Sequence, residues 1–195
     1  PANGGWAIDD ARLGEVSIPT THEEILKARL RALPAEERTL IEKAAVVGEV
    51  FWLDAVLALL RSTLAESADP DGPSMAQIGD ASGWSRARVA EGLERAVAKG
   101  LITGSNGGTI ANEREYRFAY PPIWDLVYEM VDDTTRRRYH RLAAQWIELR
   151  PEGRHEQQQE RAARHLERAG DGVMASARYR RAADAARSRY LNRRA

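Results

Sequence analysis

Across residues 74–128 the chain switches twice between helical and strand periodicity, and few folds accept that order. Met75 and Ile78 stand three apart, which places both on one side of a short helix. Ala81-Ser-Gly-Trp breaks that pattern, and Gly83 supplies the turn. Ser85 is placed to cap a second helix, because its hydroxyl can accept from an amide that the first turn leaves unpaired. Val89, Leu93 and Val97 carry that helix at spacing four, so one apolar stripe faces inward, and Gly100 ends it. Leu101-Ile-Thr opens a strand, Asn106-Gly-Gly turns the chain, and Glu115-Tyr-Arg-Phe-Ala returns as its partner. Helix, turn, helix and β-hairpin in this order predict a winged helix-turn-helix.

Strand patterning occurs only in that hairpin, so the expected class is mainly α. Upstream, Thr20 or Thr21 caps a helix at capping-box spacing to Glu23 or Glu24, with Ile25, Leu26, Leu30 and Leu33 as its buried face. Pro34 opens the next helix, whose stripe is Leu40, Ile41, Ala44, Ala45 and Val47, and Gly48 stops it. Residues 51–64 read as a third helix with a wide apolar face from Trp52 through Val56 and Leu57 to Leu60. A loop with Pro70 and Pro73 precedes the helix-turn-helix. After the hairpin, Pro121 opens a helix with Ile123, Leu126, Val127 and Met130 inside. Asp132 and Asp133 then cap another, with Tyr139, Leu142, Ala143 and Trp146 inside. Residues 156–169 and 173–190 form a helical hairpin around Gly170-Asp-Gly, whose alanines and Tyr179 permit close antiparallel packing. The expected organisation is residues 1–18 as a linker or remnant of a preceding module, with Trp6 and Ile8 alternating in strand fashion. Residues 19–132 follow as the winged-helix domain. Residues 133–195 then begin tetratricopeptide-like repeats.

The sequence has no cysteine, which excludes a disulfide framework, a thiolate metal site and a cysteine nucleophile, and fits a cytoplasmic protein. No apolar run approaches the roughly 20 residues of a membrane span, and no signal segment opens the chain. It begins with Pro1, and is read as a piece of a longer protein. Net charge is zero but unevenly placed: residues 1–133 carry 13 Lys and Arg against 22 Asp and Glu, and residues 134–195 carry 16 against 7. A DNA reader concentrates positive charge on its reading element. Here the winged-helix half is the acidic one.

In order along the chain stand Gly4-Gly-Trp, Ile18-Pro-Thr-Thr-His-Glu-Glu-Ile-Leu, Leu33-Pro-Ala-Glu-Glu-Arg and Ala44-Ala-Val-Val-Gly-Glu-Val-Phe. Leu93-Glu-Arg-Ala-Val-Ala-Lys-Gly-Leu-Ile, Tyr116-Arg-Phe, Arg138-Tyr-His-Arg-Leu-Ala and His165-Leu-Glu-Arg-Ala-Gly-Asp follow. Together they resemble the STAND class of signal-transduction ATPases, bacterial regulators in which a winged helix joins a nucleotide-binding module to helical repeats. The resemblance spans nearly the whole chain. It implies a non-catalytic regulatory segment whose partners are its own upstream ATPase domain, the downstream repeats and a protein effector. ATP or ADP would be held by the full-length protein and no cofactor by this segment. No Gly-x-x-x-x-Gly-Lys-Ser/Thr loop is present to wrap amides around phosphates. The family's Phe-Arg-His segment is Phe118-Ala-Tyr here, so Tyr120 stands where the resemblance implies a nucleotide-facing histidine. A phenol with a reference pKa of ~10 brings no positive charge there.

Arg86, Arg88, Arg95 and Lys99 are the candidate contacts for DNA or a partner, and a DNA-binding transcription regulator is the alternative function. Glu91 and Glu94 lie among them, which favours a solvated, ion-paired face. Arg136, Arg137 and Arg138 are candidate contacts for an acidic partner, against a plain solvated helix start. His22, His140, His155 and His165 lack the carboxylate spacing of a metal site, and none is expected. Trp84 and Trp124 are expected in the core, and Trp146 between the winged helix and the helical hairpin. No constellation supports an enzyme.

Overall fold

The computed structural model describes residues 21–65, 83–105, 110, 113–151 and 155–192. The expectations for the linker, the first helix of the helix-turn-helix, the Pro70 loop and the Asn106 turn lie outside those residues. Internal contacts divide the chain into two units, 1–33 and 34–195.

The described part of the first unit is helix α1, His22–Arg31. The capping box forms: Thr21 Oγ1 accepts from Glu24 N at 3.2 Å, and Glu24 Oε2 accepts from Thr21 N at 3.1 Å. Leu26, Leu30 and Leu33 are buried, whereas Ile25 is exposed.

The second unit opens with α2, Ala35–Val47, whose N-cap is Pro34. Gly48, at φ +143°, ends it and reverses the chain into β1, Val50–Trp52. This corrects the expectation of a helix over residues 51–64: its first two residues, Phe51 and Trp52, form a strand with Val50, and α3, Leu53–Ala65, follows without a turn. After α4, Arg86–Ala98, come β2, Ile102–Ser105, and β3, Glu115–Phe118. The hairpin is thus part of a three-stranded antiparallel sheet in the order β1-β3-β2, pairing Phe51 with Tyr116 and Thr103 with Arg117. Valine and two aromatics suit a pleated surface, and the sheet pairs them where a free segment would not. Phe51 stacks on Tyr116 with centroids 5.7 Å apart and meets Phe118 at 5.6 Å, so the sheet's buried face is aromatic.

The α4 boundaries are set by local chemistry. Ser85 Oγ accepts from Arg88 N at 3.1 Å, and Gly100, at φ +67°, lets Leu101 N return to the carbonyl of Ala96. Val89, Leu93 and Ala96 are buried against the unit's interior. Helix α5, Pro121–Met130, places Ile123, Leu126 and Val127 inside but leaves Met130 exposed. Asp132 Oδ1 accepts from Thr135 N at 3.0 Å and starts α6, Asp133–Glu148. Helices α7, Glu156–Arg168, and α8, Gly172–Asn192, form the hairpin around Gly170. Its α8 seam differs from the expected one: Ala175 and Ala182 are buried, while Ala183 is exposed and Tyr179 sits at the rim, donating to Glu167 at 3.0 Å. Among the described residues the class is mainly α, with eight helices and the small sheet. No described helix is long and apolar enough to cross a membrane.

Candidate functional site

The spacing of Arg88, Arg95 and Lys99 along α4 places them on one face. That face is turned on the first turn of α2. Arg88 donates twice to Glu36, at 2.9 and 3.1 Å. Arg95 Nε reaches Glu37 Oε1 at 3.0 Å, and Lys99 Nζ reaches Glu37 Oε2 at 2.5 Å. Arg86 pairs with Asp54 of α3 at 2.9 Å. The four sequence-predicted cations are therefore brought together, but on carboxylates of their own chain.

Glu37 is the buried member, 5% exposed. Burial pushes its carboxyl up, but the hydrogen bonds from Lys99 and Arg95 outweigh it and hold the group below its usual range. A carboxylate taken out of water needs such partners, because an unpaired buried charge is strongly unfavourable. Two donors from one helix on one acid of another make a clamp between α4 and α2. Gly92, facing Leu40, lets the two helices approach at the middle of this contact. Glu91 and Glu94, which flank this row, are both exposed; Glu94 pairs with Arg114 at 2.8 Å and accepts from Tyr116 Oη at 3.1 Å.

Tyr120 is the N-cap of α5, half-buried beyond the end of β3, and its side chain makes no capping bond. The Arg136 run divides three ways. Arg136 reaches Asp133 at 3.3 Å and lies 5.0 Å over the Tyr128 ring. Arg137 pairs with Asp133 at 2.9 Å, and Arg138 is half-buried. Trp84 and Trp124, expected in the core, are half-buried; Trp124 Nε1 donates to the carbonyl of Ala45 at 2.8 Å. A polar edge that must reach an acceptor keeps the indole near the boundary. Among the described residues the fully buried tryptophan is Trp52, and Trp146 stacks on it at 5.7 Å, joining α6 to β1.

Sequence reasoning missed two clusters. His140 of α6 and His165 of α7 are both buried, with Nδ1 atoms 2.9 Å apart. His140 Nε2 is 2.8 Å from Tyr128 Oη, and His165 also engages the carbonyl of Val47. One arrangement satisfies every atom: Tyr128 donates to His140 Nε2, His140 Nδ1–H to His165 Nδ1, and His165 Nε2–H to the carbonyl. Both rings are then neutral. Burial is the main reason their pKa values fall, to about 3 for His140 and about 4 for His165, with His165 and Arg168 respectively the next causes. The two histidines are 25 residues apart, and only the helix packing reveals them as partners. The second cluster is Glu113, buried, with Arg150 at 2.7 Å; Arg150 also approaches Asp54 at 3.8 Å. Burial first, and the Asp54 carboxylate next, push the Glu113 carboxyl up. An isolated acid carries no sequence signal of burial.

Among the described residues no three His, Asp or Glu side chains converge as a metal site would require. Comparison with protein families, curated proteins and solved structures finds no match to this chain.

Proposed function

We propose that this chain is a non-catalytic regulatory and interaction module of a larger STAND-type signalling ATPase, coupling a nucleotide-binding domain to a helical-repeat sensor. In this reading α2, α3, α4 and the sheet form the winged helix, and α7 with α8 opens the tetratricopeptide-like repeats. The sheet order β1-β3-β2 among three flanking helices supports the first assignment, and the alanine-lined hairpin the second. The observation that carries the function is the state of α4. A DNA-reading helix keeps its cations available for phosphates, whereas these cations are engaged with Glu36, Glu37 and Asp54. Engagement of this kind suits a rigid body moved as a whole. Such a body transmits a conformational change by docking or releasing one face.

The test is calorimetric titration of the chain against the nucleotide-binding domain of the same protein, loaded with ADP or with a non-hydrolysable ATP analogue. The expected result is affinity that differs at least about tenfold between the two, since a ligand shifts a conformational equilibrium only by its differential affinity. Equal affinity, or no binding in either state, would overturn the reading.

A further inference from the structure

A cleft of about 300 Å³ separates α7 from the turn that leads α2 into β1. One wall is residues 47–50; the other carries Arg161, Arg164, His165 and Arg168, with Trp52 also lining it. Positions i, i+3 and i+7 put the three guanidinium groups on one face of α7. Arg164 pairs with Glu160 at 2.5 Å. Among the described residues Arg161 and Arg168 have no carboxylate within ion-pair distance. Arg161 is half-buried, and its guanidinium lies 4.9 Å from the centre of the Trp52 ring. A ring face attracts the cation but offers its N–H groups no acceptor in their own plane. Trp52 is itself buried, and its indole N–H has no acceptor. The acids nearby are Glu49, which lines the cleft and reaches Arg117 at 3.3 Å, and Glu115 and Glu160, whose fields act on Arg161. Among the described residues none of the three lies within ion-pair distance of Arg161 or Arg168.

Donors without acceptors in a concave, part-buried site are the complement of an anion. Guanidinium forks match carboxylate and phosphate alike. Two such forks, Arg161 and Arg168, stand on one face of α7, and a phosphate's three free oxygens can accept from both where a carboxylate offers only two. We propose that this cleft binds a phosphate group, free or esterified to a small molecule, held between Arg161 and Arg168 against the turn at Gly48. Occupancy would tie α7 to the turn at the start of the sheet and stabilise the folded chain by mass action.

The test is titration of the chain with inorganic phosphate at constant ionic strength, chloride being withdrawn as phosphate is added. Amide shifts of residues 48–50 and the melting temperature report binding. The expected result is saturable shifts at those amides, with a Kd on the order of 1 mM. Arg168→Gln should weaken binding about tenfold. Arg141→Gln, an exposed arginine of α6, should leave it unchanged. Arg168 is exposed, so its variant keeps the core intact even if Arg161→Gln fails to fold. Glycerol 3-phosphate separates the sources: tighter saturation than phosphate identifies an ester, and weaker or equal saturation identifies the free ion. Shifts that rise without saturating, or an Arg168→Gln titration that overlays the parent's, would overturn the proposal.

Discussion

Gly92 lies in the middle of α4, where glycine costs a helix about 1 kcal/mol relative to alanine. A methyl group there would fall inside the contact radius of Leu40 Cδ1, and Leu40 is buried in α2. Overpacking outweighs propensity here, so Gly92→Ala is expected to destabilise the chain by about 1–3 kcal/mol. A urea midpoint that rises instead would contradict the close contact. The histidine pair makes a prediction about pH. In the unfolded chain both titrate near 6.5; folded, they do so at about 3 and about 4. Below 6.5 the unfolded state binds the protons first. The pair's contribution is complete above pH 6.5 and is lost as the pH falls toward 4. Urea midpoints between pH 7.5 and 4.5 should decline less steeply in His140→Gln/His165→Gln than in the parent, and equal slopes would sink the assignment. Residue-scale features that depend on near neighbours in sequence were legible: the caps at Thr21, Ser85 and Asp132 form as their spacing implies. His140 with His165, and Arg150 with Glu113, were not, because each joins elements that only the fold brings together.

At the scale of elements, β1 shows where periodicity fails. Val50, Phe51 and Trp52 run directly into Leu53, so an unbroken apolar stretch reads as one helix although a strand occupies its start. The information that separates them lies in the partner strand β3, not in the segment itself. This matters because β1 presents Trp52 to Trp146, the aromatic contact between the sheet and α6. Arg150, just past the end of α6, with Glu113, and Lys43 with Tyr139 Oη of α6 at 3.0 Å, add polar ties to the same body. Arg178 with Glu148, at 2.5 and 2.7 Å, fastens α8 to α6. Trp146→Ala is expected to cost about 3–5 kcal/mol, as truncation of a buried tryptophan does. Amide exchange should then quicken across α6, α7 and α8 before it quickens in α4, whose ties to α2 are untouched. Uniform acceleration would show that the aromatic stack does not hold this junction.

For the whole molecule, the uneven charge along the sequence is informative once the ion pairs are placed. The acidic stretch supplies Glu36, Glu37, Asp54 and Glu113, and these meet arginines and a lysine of the chain itself. Cations that looked available on a helical wheel are consumed internally. Composition was a better guide to that outcome than motif. The helix-turn-helix spacing pointed to a reading helix, while the acid excess of residues 1–133 pointed away from nucleic acid. The central claim is that α4 is fastened inward and serves a protein-facing module. The most direct measurement is fluorescence anisotropy of a labelled random duplex titrated with this chain at about 50 and 200 mM salt, the range over which phosphate contacts lose affinity steeply. No binding is expected at either concentration. Micromolar binding that collapses at the higher salt, and weakens in Arg86→Ala/Arg88→Ala, would contradict it and make α4 a reader of DNA.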